Sequence, residues 1–264
     1  MIEFLDNLDT SIFLAVNGAN SPFFDSFMTM FTGRFIWIPM YAMILWILFR
    51  SCRWQTATVY LLSLVCAIVL TDQVCASVIR PAVERLRPSN IENSISGMAY
   101  IVNGYRGGSY GFPSCHAANS FALTVFVALF VRRRAFTVFI VGWALLNSYS
   151  RLYLGVHYPG DLLVGAIIGS LFGFVCYHAA RLSAGRLLEP QAASGGHQTI
   201  GVLDSSRVIL KQLTPGAALR SLTPSASLLR EISTVRIYRL VASDLMIAAF
   251  ALTLAVIVIA SILN

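Results

Sequence analysis

The sequence predicts an all-α integral membrane protein, a bundle of about six transmembrane helices with an N-terminal interfacial helix. Three observations predict it. Only 12% of the residues are charged and 57% are hydrophobic, whereas a soluble domain carries about 25% charged residues. The apolar residues gather in long runs, the arrangement that lipid rather than water tolerates. Eighteen of the nineteen basic residues are Arg, and they cluster at the ends of those runs, as residues that fix membrane orientation do. The net charge of +7 is therefore read as topological, with no nucleic-acid partner.

The elements follow in order. In residues 1–24, Ile2, Leu5, Leu8, Ile12 and Phe13 recur at helical spacing with acids between them, which predicts a helix lying in the interface. Glu3, Asp6 and Asp9 among these first apolar positions do not resemble a cleavable signal peptide. Spans are expected at 35–49, 56–79, 117–131, 135–149 and 161–180, with a last one at 240–263. A polar loop, 80–113, separates the second span from the third. The domain reading is a membrane core at 1–182, a polar cytoplasmic tail at 183–239 and an additional transmembrane helix at 240–264. The tail repeats Leu-Thr-Pro at Leu213 and Leu222; Thr before Pro is a good helix start, so two short surface helices are expected there. The five cysteines, Cys52, Cys66, Cys75, Cys115 and Cys176, have neither metal-ligand nor disulfide-framework spacing.

Arginines set the expected orientation. Arg50 and Arg53, the run from Arg132 to Arg134, Arg181 and Arg186, and the tail cations all fall on one side, expected to be cytoplasmic. The acidic N-terminus, the 80–113 loop and the 153–159 loop then face outward.

Three polar clusters share that outer level: Arg80 to Pro88, Pro113-Ser114-Cys115-His116, and Ser150-Arg151 followed by His157 and Asp161. Charge at membrane depth is expensive and asks for a reason. Arg80, Arg87 and Arg151 are planar donors suited to phosphate oxygens. Ser114, Cys115 and His116 open a helix whose free N–H groups and dipole favour an anion. Asp161, four residues after His157, can fix that imidazole's tautomer and make it a nucleophile. His116 can protonate a leaving oxygen. The set suits phosphoryl transfer, with arginines around the equatorial oxygens. The remaining acids, Asp72, Glu84 and Glu92, are scattered, so no metal and no other cofactor is expected.

These clusters resemble the three-part signature of the type 2 phosphatidic acid phosphatase (PAP2) superfamily, Lys-x6-Arg-Pro, Pro-Ser-Gly-His and Ser-Arg-x5-His-x3-Asp. The third part matches at Ser150, Arg151, His157 and Asp161. The first matches at Arg87 and Pro88 with Arg80 in place of Lys, and the second at Pro113, Ser114 and His116 with Cys115 in place of Gly. The resemblance covers about residues 56–180. It implies a metal-free phosphohistidine mechanism: His157 as nucleophile oriented by Asp161, His116 as general acid, and Arg80, Arg87, Ser114 and Arg151 holding the phosphate. Cys115 is expected to narrow the pocket beside His116.

Blander readings apply elsewhere. His178 and His197 read as packed, Arg34 and Arg106 as anchors, and Tyr153, Tyr158 and Trp143 as interface aromatics. Asp72, about two turns inside the second span, calls for a partner and is expected to position one of the arginines; Arg85 either faces a headgroup or supports the cradle. The expected substrate is a membrane lipid phosphate: undecaprenyl diphosphate, lipid A, phosphatidylglycerol phosphate or phosphatidic acid. A phosphotransferase using the same intermediate and a non-enzymatic lipid transporter are the alternatives.

Overall fold

Lipid offers no partner to a backbone N–H or C=O, so an apolar run satisfies its own polar groups by coiling. The computed structural model describes residues 2–33, 35–192 and 226–263. Among the described residues no strand forms beyond one isolated bridge between Leu86 and Tyr110. Arg34, His197 and the tail's first Leu-Thr-Pro echo, with the start of the second, lie outside the described residues.

The expected interfacial segment, 1–24, is two helices. α1 (Ile2–Asn17) ends before Gly18, and α2 (Pro22–Phe31) starts afresh. Ser21 accepts a hydrogen bond from Phe24 N, and Pro22 sits in the first turn where its missing N–H costs nothing. After a short 3₁₀ turn, Phe35–Trp37, α3 (Ile38–Ser51) continues at 65° to α2. α4 (Trp54–Gln73) passes through a π-helical turn, Val74–Ile79, into the short α5 (Arg80–Val83). Wide turns of this kind recur at functional sites, and this one delivers Arg80. The 84–114 loop leads to α6 (Cys115–Val131), followed by α7 (Arg134–Tyr153), α8 (Pro159–Ala192) and α9 (Ala226–Leu263).

Three helical stretches are long and apolar enough to span a bilayer, Trp54–Val83, Pro159–Gly185 and Ser243–Leu263, and the bent pair of α2 and α3 makes a fourth. α6 is apolar but only 17 residues long. α7 has the length but carries Asn147, Ser148, Ser150 and Arg151. Among the described residues three or four stretches thus have the length and hydropathy of a span, fewer than the six expected from the sequence. α9 begins well before the apolar run that predicted it and packs on the bundle: Phe250 stacks on Trp37 and meets Phe139 edge-on. Arg133 donates to Ser243 and Asp244.

α6 and α8 touch backbone to backbone. A Cβ at Gly165, Gly169 or Gly173 would lie 2.5, 1.9 or 2.5 Å from the carbonyl oxygens of Ser114, Ala118 and Ala122. Small residues every fourth position are how membrane helices approach closely. The stripe fixes the start of α6 beside the start of α8.

The aromatics read as interfacial are internal instead. Trp143, Tyr153 and Tyr158 are all buried, because the α2–α3 break and the 84–114 loop close over them. Tyr153 Oη donates to Asp25 Oδ1 at 2.6 Å. Asn17, buried, ties three elements together: its Nδ2 donates to Tyr100 O and Tyr153 O, and its Oδ1 accepts from Tyr100 N. His178 packs against Phe174 and Tyr177.

Candidate active site

Each of the three clusters lies where a helix starts or stops, and the bundle gathers all three at one level. His157 lies in the α7–α8 connection, buried, with Asp161 in the first turn of α8. The acceptor-only carboxylate assigns the tautomer: His157 Nδ1 donates to Asp161 Oδ2 at 3.3 Å. The other nitrogen, Nε2, keeps its lone pair and lies 3.1 Å from Arg87 Nη1, which donates to it. Burial pulls the His157 pKa down to about 4, and neighbouring Arg87 adds to that against the opposing pull of Asp161. At neutral pH the ring is uncharged and its Nε2 is nucleophilic.

Asp161 is held from every side. Its Oδ2 also accepts from Tyr158 N, its Oδ1 from Arg85 Nη1 at 3.1 Å, and its backbone oxygen from Ser114 N. Arg85, unresolved between headgroup and cradle in the sequence, points away from the cradle. It bridges Asp161 to Asp9 and Asp6 of α1, each at 2.7 Å, and its guanidinium lies 4.0 Å over the Tyr158 ring. Burial lowers the Arg85 pKa, and Asp161, Asp9 and Asp6 outweigh it, for a net rise. The acids of the first helix therefore brace the site. Nothing local in the sequence pairs Asp6 or Asp9 with Arg85.

Arg80, Arg87 and Arg151 converge above His157. None of the three is in an ion pair among the described residues. Burial, then Arg80 and Arg151, lower the Arg87 pKa to about 10, so it stays charged at neutral pH. Arg80 Nε and Arg151 Nε are buried donors with no partner among the described residues, an arrangement that costs free energy until an anion occupies it. Arg87 is fixed by Tyr110 O and Val156 O. Gly111 roofs the pair beneath, where a Cβ would lie 3.0 Å from Asp161 Oδ2.

Arg80 makes one contact that bears on the departures from the family signature. Its Nη2 donates to Cys115 Sγ at 3.0 Å and to Pro113 O at 3.2 Å. The two residues that differ from the signature touch each other. Ser114, fully buried, caps α6 by accepting from Ala117 N.

His116 Nε2 lies 3.1 Å from Asn147 Oδ1 and 3.3 Å from Thr32 Oγ1. Asn147 Nδ2 in turn donates to Ser120 Oγ, so the carboxamide oxygen is the end that faces the ring and His116 Nε2 carries a proton. Thr32 also accepts from Arg151 Nη1 at 3.2 Å. Thr32 and Asn147 were not singled out from the sequence; a Thr at a helix break and an Asn in an apolar helix were the available signals. Asp72 accepts from Asn119 Nδ2 at 3.2 Å and pairs with no arginine among the described residues. Arg106, read as an anchor, ties the loop by donating to Ser89 O while Ser89 Oγ donates to its carbonyl.

Below the cradle a cavity of about 760 Å³ runs between α3, α4, α6 and α7, lined by His116, His157 and the three arginines at one end and by Tyr41, Ile44, Leu45, Val65 and Ile68 at the other. No cluster of three or more potential metal ligands occurs among the described residues.

Comparison with known proteins gives the family. The PAP2 superfamily profile matches residues 57–183. The lipid A 4'-phosphatase of Bacteroides thetaiotaomicron is 54% identical over 187 residues, 71% of this chain and 83% of that protein. The lipid A 4'-phosphatase of Porphyromonas gingivalis is 30% identical over 67% of this chain and 74% of its own. The crystal structure of Aquifex aeolicus LpxE overlaps 64% of this chain and 94% of its own with a TM-score of 0.49 and 23% identity. With a signature-bearing site at the ends of membrane helices and relatives of this similarity, the chain belongs to the PAP2 superfamily and is a membrane lipid phosphatase.

Proposed function

We propose that the protein removes a phosphate group from a lipid A-type lipid at the outer face of the membrane, through a phosphohistidine intermediate. The observation that carries the mechanism is a neutral, carboxylate-oriented His157 beneath three arginines that lack anionic partners among the described residues. His157 Nε2 attacks phosphorus as the P–O bond to the lipid breaks. His116 gives its proton to the departing oxygen. Arg80, Arg87 and Arg151 take the charge that develops on the equatorial oxygens. Water then attacks phosphorus, the P–N bond breaks, and His116 takes the water's proton. Released lipid and inorganic phosphate balance the two steps.

The apolar end of the cavity is where the lipid's chains would lie, with the phosphate at the cradle. The choice of lipid A over undecaprenyl diphosphate rests on the two lipid A 4'-phosphatases among the relatives. The outward orientation rests on the arginine-rich turns at the opposite ends of the helices, which also support a cytoplasmic tail.

The test is phosphate release by detergent-purified protein from lipid A bearing a 4'-phosphate, from undecaprenyl diphosphate and from phosphatidic acid, with EDTA present. Release from lipid A that EDTA leaves intact and His157→Ala abolishes is expected. Chelator-sensitive release, or an active His157→Ala protein, would refute the mechanism.

A further inference from the structure

Asp72 and Asn119 have no place in the phosphoryl-transfer steps, yet both line the cavity. Asp72 sits in the span Trp54–Val83, where an acid without a cation is costly. Asn119 Nδ2 binds Asp72 Oδ1, which leaves the second carboxylate oxygen with no hydrogen bond among the described residues. Asn119 Oδ1 is buried and without a partner, and so is Trp143 Nε1 on the facing helix, whose ring is 2% exposed.

Their depth is set by helix geometry. Asn119 lies one turn below Cys115, about 6 Å along α6. Asp72 lies eight residues below Arg80, about 12 Å along its helix, and the long Arg80 side chain takes up part of that interval by reaching Cys115. Two polar pairs are thus stacked: Arg80 with Cys115 at the phosphate level, and Asp72 with Asn119 beneath it. The separation is about the breadth of one hexose ring. Deeper still, the lining turns apolar at Ile68, Val65 and Leu45.

The lower pair offers mainly acceptors. A phosphorylated sugar headgroup brings hydroxyl and amide donors to this level. A polyprenyl diphosphate brings hydrocarbon or a second phosphate there, one leaving the acceptors unpaired and the other repelled by Asp72. The ester linkages of a diacylglycerol phosphate carry no donor. We propose that Asp72 and Asn119, with Trp143 opposite, form a subsite that selects a lipid whose phosphate is carried on a sugar. The proposal rests on the phosphatase reading above and names the group that the enzyme recognises beside the phosphate.

The experiment compares wild type with Asp72→Asn and Asn119→Leu, the first nearly isosteric so that folding is preserved. Two quantities are read: kcat/KM for lipid A bearing a 4'-phosphate, and the inhibition constant of inorganic phosphate, which reports the cradle alone. Loss of a hydrogen bond to a charged group predicts a fall in kcat/KM of about ten- to a hundredfold, with the phosphate constant within about twofold of wild type on the same reasoning. Equal losses in both quantities would show that Asp72 acts through Arg80 and would overturn the subsite, as would no loss in either. Wild-type hydrolysis of a sugar-free lipid phosphate but not of lipid A also overturns it while leaving the phosphatase reading intact. Release from no lipid refutes that reading itself.

Discussion

Gly169 offers a graded test of how the bundle holds its site. A Cβ built there lies 1.9 Å from Ala118 O and 2.7 Å from its carbonyl carbon. Ordinary contact begins at 3.4 Å, so Gly169→Ala forces α6 and α8 about 1.5 Å apart or bends one of them. Both of these atoms are helix backbone, and neither is the free end of a side chain. Overpacking of this kind costs about 1–3 kcal/mol, against about 1 kcal/mol gained from replacing a helical Gly by Ala. Gly142, on α7, is the internal control, since nothing lies within 4 Å of its Cβ position; Gly142→Ala gains the propensity and meets no obstacle. Function is more sensitive than stability, because α6 carries Ser114 and His116 and α8 carries Asp161. A displacement of about 1 Å between them is worth about a hundredfold in rate. The assay pairs thermal unfolding in detergent with phosphate release. Gly169→Ala is expected to melt lower than Gly142→Ala and to lose at least tenfold in kcat/KM. Equal melting and equal activity for the two variants would refute the close-packed account.

The pH dependence, the His157–Asp161 pair and its Arg85 brace give four further tests. Because the His157 pKa is lowered to about 4 from an ordinary 6.5, the folded state binds fewer protons than the unfolded one between those values. Stability from this group is present above about pH 6.5 and is lost as pH falls through about 4, roughly 3 kcal/mol in all; chemical denaturation across that window, repeated with His157→Gln, is expected to show the slope and then its removal. The acid limb of kcat/KM, measured against pH, is expected near 4, and a limb at 6.5 would contradict a buried neutral nucleophile. Asp161→Asn retains shape but loses the acceptor that fixes the tautomer, so kcat falls by about 10³-fold or more in a phosphate-release assay while the inhibition constant of inorganic phosphate changes little. Arg85→Ala leaves the buried Asp161 without its cation and is expected to cost about 3 kcal/mol in unfolding free energy, whereas a purely headgroup-facing Arg85 would cost almost nothing.

The parts of the site that repeat a fixed spacing were legible in the chain. His157 and Asp161 are four apart on a loop-to-helix junction, and alternation of spans places Arg80, Ser114 and Arg151 at one level without any distance being known. What escaped reading are contacts between segments with no common spacing. Asp6 and Asp9 read as the polar face of an interfacial helix, and only the folded chain shows them on Arg85. The α2–α3 break, which carries Thr32 to His116 and Arg151, lies inside a run that reads as continuous apolar sequence, because Ser21-Pro22 and Gly33 are weak punctuation next to so many Phe and Met residues. Trp143, Tyr153 and Tyr158 were placed at the interface by residue type, which cannot reveal that Trp37 at the α2–α3 break packs on Trp143 or that Asn93 of the 84–114 loop binds Tyr158. Asp72 was noticed for its cost, but its partner is a carboxamide on α6 rather than an arginine, and Asn119 has no signature of its own.

The touching of Arg80 and Cys115 couples two positions that single substitutions treat as separate. Where the family signature has Lys and Gly, this chain has a guanidinium resting on a thiol. Restoring Gly alone removes the sulfur that accepts from Arg80 Nη2, and restoring Lys alone sets a different donor against that sulfur. Each reversal disturbs a contact that only the pair makes, so the effects of Arg80→Lys and Cys115→Gly on the cradle are not additive, as is usual for residues in contact.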